Sequence, residues 1–236
     1  MVREYSTQRH LPPLESGVGV ARRRHRLTRP EFERRYGAAP HTKKAELIEG
    51  IVYIASDVRH EQHGKPHSRV ITWLGVYQSL TPGVDLSVEP TVRLDLDNEP
   101  QPDAVLFIET DAGGQTRLSS DGYIEGSPEL IVEIAASSVA IDTGSKKQVY
   151  RRNGVLEYVI WQSYENQIEW FCLIDGEYQL LSPSADGIIR SQVFPGLWLA
   201  VEALLNNQMV RVLEVVQAGL KSPEHNAFVQ QLKKQE

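Results

Sequence analysis

Asp103, Glu133 and Lys146 are the residues through which this sequence could do chemistry. Glu133 sits inside the apolar run Leu130, Ile131, Val132 and Ile134, entered through Ser127-Pro128, which is the pattern of a strand buried on both faces. A carboxylate there is costly unless it is paired, protonated or bound to a metal, so Glu133 is a site candidate, with a salt bridge across the sheet as the purely structural reading. Asp103 opens the strand DAVLFI after the rigid turn Asn98-Glu99-Pro100-Gln101-Pro102, where a turn-closing aspartate is the plain alternative. Lys146 stands between Asp142 and Tyr150 at i, i+4 and i+8, on one helical face. An Asp142–Lys146 pair alone would be an ordinary helix salt bridge worth a few tenths of a kcal/mol. Taken together, two carboxylates and an ammonium from neighbouring elements suit a Mg²⁺ or Mn²⁺ ion and the attack of a bound water on a phosphodiester. The lysine would orient or deprotonate that water and stabilise the charge that grows on the phosphorus oxygens.

Several elements must place these groups. Residues 1–27 read as an irregular leader, with Pro12-Pro13 and Gly17/Gly19 and no sustained apolar period. Thr28, Pro30 and Glu31 predict an N-capped short helix over Arg29 to Tyr36, stopped at Gly37. Ala45 to Ala55 reads as a strand pair or one bent strand around Gly50, with Glu46 and Glu49 on opposite faces if it is regular. Pro66 to Leu80 carries Val70, Trp73, Leu74 and Tyr77 at helical spacing. Strand signals recur at Leu86 to Leu96, broken by Pro90, and in a meander over Val155 to Trp161, Gln167 to Ile174 and Tyr178 to Leu181. Asp142 to Asn153 predicts a helix ended by Gly154, and Val201 to Leu220 a closing helix. The expectation is one domain over residues 28–220, of α/β (α+β mixed-sheet) class, with a polar tail over 221–236.

Composition excludes several chemistries. The single cysteine, Cys172, lies in an apolar run and permits neither an intramolecular disulfide nor a cysteine-based zinc cluster. His60, His63 and His67 are close in sequence, but Pro66 intervenes between the last two, and the reading sets a zinc site aside. The Gly-rich loop from Asp111 to Ser120 has no lysine and no following helix, so it is not a phosphate-cradling loop. No apolar stretch approaches the roughly 20 residues that span a bilayer, nor is there a secretory h-region, so no membrane association and a cytoplasmic location are expected. The net charge of −6 disfavours broad nucleic-acid binding, although positive charge gathers at Ala21 to Arg35, read as a solvated arm with a DNA-contacting arm as the alternative, and in a smaller group at Lys146, Lys147, Arg151 and Arg152.

The ordered pieces AELIEGIVY (Ala45 to Tyr53), His67 before a helix, Gln101-Pro102-Asp103, PELIVE (Pro128 to Glu133), Asp142 with Lys146 and Tyr150, GVLEYVI (Gly154 to Ile160) and Phe194-Pro195-Gly196-Leu197 resemble the Uma2 (DUF820) group of the PD-(D/E)XK nuclease superfamily. The resemblance runs from about Thr28 to Leu205. It implies a restriction-endonuclease-like core, a central mixed sheet flanked by helices, with Mg²⁺- or Mn²⁺-dependent cleavage of DNA. It also implies catalytic roles for Glu46, Asp103, Glu133 and Lys146, with Asp103 and Glu133 as metal ligands and His67, Asp142 and Tyr150 as accessory residues. The general pattern has lysine two positions after the glutamate, where this chain has Ala135, so the resemblance moves that role to Lys146. A homodimer is expected if both strands of a duplex are cut. The reading kept beside this one is a non-catalytic nuclease-fold protein acting as a binding or regulatory module, since fold alone does not decide function. A glycosidase would need its paired carboxylates in an open aromatic groove, which nothing in the sequence marks.

Overall fold

In the computed structural model, which describes residues 26–39, 41–42, 44–54 and 58–234, the chain begins with helix α1 (Arg29–Gly37) and the hairpin β1 (Ala45–Ile48) and β2 (Ile51–Ile54). The expected irregular leader lies almost wholly outside the described residues. A π-helical turn, His60–Gly64, runs into α2 (Lys65–Ser79), followed by β3 (Val84–Val88), β4 (Val92–Arg93) and β5 (Ala104–Ile108). Short strands β6 (Arg117–Leu118) and β7 (Ile124–Glu125) precede β8 (Leu130–Ala135). Then come α3 (Val139–Ile141), a second π-helical turn Asp142–Lys146, and α4 (Lys147–Asn153). The meander β9 (Glu157–Gln162), β10 (Gln167–Ile174) and β11 (Glu177–Leu180) leads to β12 (Ile188–Arg190), β13 (Trp198–Ala200), α5 (Val201–Leu205), α6 (Met209–Leu220) and α7 (Pro223–Leu232).

Six strands form one mixed sheet in the order β11-β10-β9-β8-β5-β3, parallel between β8 and β9 and antiparallel at its other pairings. Strand β8 is central, and all six of its residues are buried, which its uninterrupted apolar character requires. Alternation divides the strand between two cores. Leu130, Val132 and Ile134 join Trp73 and Leu74 of α2 and Val212 and Val216 of α6, while Ile131 and Ala135 join Val149 and Tyr150 of α4. Glu133, being odd-numbered, faces the α4 side. A smaller core of Phe32, Ala45, Leu47 and Val52 fastens α1 to the hairpin.

Local signals were overridden in four places. Thr28 makes no side-chain cap, and Glu31 turns outward to Arg34 and Arg35 in place of completing a capping box. Glu49 lies in the hairpin turn with φ 53° beside Gly50 at φ 72°, so the expected opposition of Glu46 and Glu49 along a strand does not arise. The single closing helix is interrupted between α5 and α6, where Asn207 takes φ 59°. Finally, the polar tail expected from Lys221 contains α7, capped by Ser222 and burying Phe228 and Leu232 against the α2 and α6 core.

Glu157, at the start of β9, is fully buried and holds the loop that follows β12. Its carboxylate accepts hydrogen bonds from Ser191 Oγ at 2.7 Å and the Gln192 N–H at 2.6 Å. Burial outweighs these bonds and pushes its pKa up to about 7. Between the unfolded value, roughly 4.3, and the folded one, the native state keeps a proton that the unfolded chain has released. The stabilisation is therefore complete below the unfolded value and is lost as pH rises through about 7. Urea titrations at pH 5 and pH 8 should show Glu157→Gln gaining on the wild type by roughly 1–3 kcal/mol over that interval; a constant difference would refute the assignment.

Candidate active site

Strand pairing builds the first part of the site. The antiparallel register that sets Ala104 against Val132 brings Asp103, one residue earlier, to the level of Glu133. The Asp103 side chain does bond a backbone N–H, as its turn reading anticipated, but on the neighbouring strand: Oδ2 accepts from Ile134 N at 2.6 Å. Both carboxyl groups are almost fully buried and both line a cavity of about 790 Å³ at the ends of β5 and β8.

Lys146 arrives from the helical segment after β8. Its ammonium lies 2.9 Å from Glu46 Oε1, 3.0 Å from Glu133 Oε1 and 3.5 Å from Asp142 Oδ1. The i, i+4 partner suggested by sequence is thus the most distant of the three, and the pair is buried, unlike a solvated helix salt bridge. The segment Asp142–Lys146 is π-helical, not α-helical as the spacing predicts, yet Asp142, Lys146 and Tyr150 still converge. Such one-turn π segments recur at functional sites. Tyr150 Oη donates to Glu133 Oε1 at 2.8 Å, and Tyr158 Oη donates to the Asp142 carbonyl at 3.0 Å. The two rings meet edge to face with centroids 5.0 Å apart.

Glu46 comes from the hairpin. Its Oε1 also accepts from the Gln101 N–H at 2.7 Å, tying β1 to the turn that delivers Asp103. Backbone bonds between Leu47 and Glu99 reinforce that attachment, at 3.1 Å and 2.7 Å.

The site's charge distribution follows from burial. Glu133 and Asp142 are pushed upward in pKa by desolvation, partly opposed by Lys146 and reinforced by the other carboxylates. For Lys146, burial works against the charged form but is outweighed by Glu133, Glu46 and Asp142, which hold its pKa well above the ordinary lysine value. Burial also works against an ionised Asp103, yet His63 and the Ile134 N–H lower its pKa below the usual range.

His63 is the residue that sequence reasoning missed. Its Nε2 lies 3.0 Å from Asp103 Oδ1, and that bond raises the imidazole pKa against the effect of burial. Pro66 does not separate His63 from His67, because it occupies the first turn of α2, where a missing N–H is tolerated, and the π-helical turn continues into the helix. The two rings stand 5.6 Å apart. The four-residue spacing was therefore the available signal. His67 Nε2 donates to the Asp103 backbone carbonyl at 2.9 Å and does not touch the carboxylate, whereas His60 points to solvent with its side chain 79% exposed.

Of the seven residues singled out from sequence, Glu46, Glu133, Asp142, Lys146 and Tyr150 share one contact network, while His67 meets the Asp103 carbonyl and Asp103 adjoins that network through the Ile134 N–H beside Glu133. None of the curated proteins matches the chain. Among solved structures the chain is similar to the crystal structure of a putative nuclease belonging to DUF820 from Anabaena variabilis ATCC 29413, with TM-score 0.52, 14% identity, and coverage of 69% of this chain and 89% of that one. At that identity the likeness is one of fold. The family model described as "Putative restriction endonuclease" matches residues 29–202, a span that includes every residue of the network, and the chain therefore belongs to the Uma2 family.

Proposed function

We propose that the protein is a divalent-metal-dependent endonuclease that hydrolyses phosphodiester bonds of DNA at this cluster. The observation that carries the reading is the position of the Lys146 ammonium, within 3.0 Å of Glu133 and 2.9 Å of Glu46 at a cavity that Asp103 also lines. Membership of Uma2 and the fold shared with a DUF820 nuclease support it.

The residues suit a hard cation. Glu46, Glu133 and Asp142 surround one ammonium, so ionising all three would leave negative charge in a poorly solvated place. Among the described residues, no group of three His, Cys, Asp or Glu side chains is arranged to hold an ion by itself. Asp103 and Glu133 would therefore hold Mg²⁺ or Mn²⁺ together with water and substrate oxygens, the usual habit of Mg²⁺. When bound, the ion would supply Lewis acidity toward a phosphoryl oxygen and lower the pKa of a water.

The chain's own groups divide the remaining work. Lys146 is held protonated by its three carboxyl neighbours, so of the roles open to it the one that fits is a fixed donor. In that role it orients the nucleophilic water and offsets charge developing on phosphate, and it does not act as a base. Glu46 and Tyr150 are positioning residues, the first holding the ammonium and the second the Glu133 carboxylate.

Two measurements test this function. With Mg²⁺ or Mn²⁺, the wild type should nick supercoiled plasmid, Asp103→Ala and Glu133→Ala should be inactive, and Lys146→Ala should lose about 10²- to 10³-fold in rate, the usual cost of one electrostatic donor. Full activity in Lys146→Ala would discard the assigned role, and a wild type that never cleaves would favour the binding-module reading. Independently of turnover, saturating Mg²⁺ or Mn²⁺ should raise the melting temperature, by the equivalent of about 2.7 kcal/mol at a hundredfold excess over Kd. Asp103→Ala should abolish that shift; an unmoved wild-type melting curve would count against the metal site.

A further inference from the structure

The mouth of the cavity differs from its floor. Tyr164, exposed in the turn between β9 and β10, lines it with Lys44, Arg59 and Tyr53 of β2, whose half-buried ring also packs on the core around Val149 and Tyr150. Tyr164 is 56% exposed and Val58, on the same cavity, 63% exposed, so neither is there to complete a core. An exposed tyrosine at the rim of a catalytic cavity is a flat, amphipathic surface on which a nucleobase can stack, at about 1–3 kcal/mol per base.

Charge points the same way. The lining carries Lys44, Arg59 and Lys146 against Glu46, Glu89, Asp103 and Glu133, and Lys146 is already held by three carboxyl groups. Elsewhere the arginines are largely paired with acids: Arg93 with Glu33 and Asp121, Arg117 with Glu125, Arg151 with Glu177, Arg152 with Glu49, Arg190 with Asp186. Duplex DNA presents one negative charge about every 1.7 Å and is held by many Lys and Arg contacts to phosphate. These described surfaces offer few, and the whole chain is net negative at −6. On these described surfaces the faces of bases, which a duplex keeps stacked inside itself, are the larger source of affinity on offer. A cavity of 790 Å³ lies in the range of roughly 300–1,000 Å³ that encloses small ligands, large enough for an extruded or unpaired nucleotide and far too small for a double helix.

We infer that the mouth formed by Tyr53, Tyr164, Lys44 and Arg59 is a seat for unpaired nucleotides, making single-stranded or locally unpaired DNA the substrate in preference to intact duplex. The inference rests on the nuclease reading above and narrows it. A site that takes one strand at a time also removes the need for two copies to act together, on which the expected homodimer depended.

The test pairs binding with cleavage. Fluorescence anisotropy of a labelled 20-nucleotide strand and of the same strand in duplex, measured on the full chain in EDTA so that nothing is cut, should favour the single strand by at least tenfold. Under the same conditions Tyr164→Ala should weaken single-strand binding by about 5- to 150-fold, the equivalent of about 1–3 kcal/mol, while Tyr164→Phe, which keeps the ring, should bind as before. With Mg²⁺ or Mn²⁺, active protein should cut a duplex bearing an unpaired bubble within the bubble and leave the paired arms. Tyr164 is an exposed turn residue, so its variants test the seat and not the fold. Equal or tighter binding of duplex, or indifference to Tyr164→Ala, overturns the inference while metal-dependent cleavage leaves the nuclease reading standing. Tyrosine-dependent strand binding with no cleavage of any DNA by the wild type supports the seat and overturns the nuclease reading instead.

Discussion

The structure depends on one buried contact, the hydrogen-bonded ion pair between Glu133 in the centre of β8 and Lys146, 13 residues later. Each group would be untenable alone where it stands. A buried charge without a partner costs several kcal/mol, and β8 has no solvent-facing side into which Glu133 could turn. The ammonium meets the carboxylate at 3.0 Å, and Tyr150 completes the same oxygen's bonding at 2.8 Å. That requirement fixes where the helical segment after β8 must lie. The π-helical turn between α3 and α4 serves that requirement, setting Asp142 and Lys146 near Glu133 while Val149 and Tyr150 pack on Ile131 and Ala135.

Other parts of the chain are recruited to keep that contact in register with Asp103. The hairpin lends Glu46, whose single oxygen joins Lys146 to the Gln101 N–H and so couples three elements through one carboxylate. The turn before β5 is held in turn by Leu47, which exchanges two backbone bonds with Glu99. Glu99 itself is buried, its carboxyl pushed up to about 8 by desolvation and by the neighbouring Glu33, with Arg93 drawing the acids of α1 and β7 together. The periphery thus repeats the arrangement of the centre: a shortage of cations inside a cluster of acids, with one basic side chain shared among several.

The sheet and the principal helices were legible because hydrophobic period is a property of sequence. The strand character of LIVEIA, the meander after Gly154, and the helical stripe Val70, Trp73, Leu74 and Tyr77 all appear where the pattern puts them. The cluster was legible as an anomaly, a charge in a strand that had no right to one. What remained hidden depended on tertiary partners. Thr28 goes without its capping box while Glu31 pairs with two arginines instead, and α7 exists because Phe228 and Leu232 find an apolar surface made by α2 and α6. His63 was hidden for a subtler reason, since its partner Asp103 lies 40 positions away and only the continuity of a π-helical turn with α2 brings the imidazole to it.

His63 also shows how the site is kept in order before any ligand arrives. An ionised Asp103 at the end of β5 would, by burial alone, be driven to take up a proton. The imidazole on Oδ1 and the Ile134 N–H on Oδ2 stabilise the anion from two sides, leaving a charged carboxylate in place at the cavity. Glu133 is treated in the opposite way: burial raises its pKa, opposed by the Lys146 ammonium that it shares with Glu46 and Asp142. Two carboxyl groups on adjacent strands are thereby given different characters by their surroundings, the pKa of Asp103 held down and that of Glu133 pushed up. That division is the physical basis on which a pair of acids, otherwise mutually repulsive, can share one cavity.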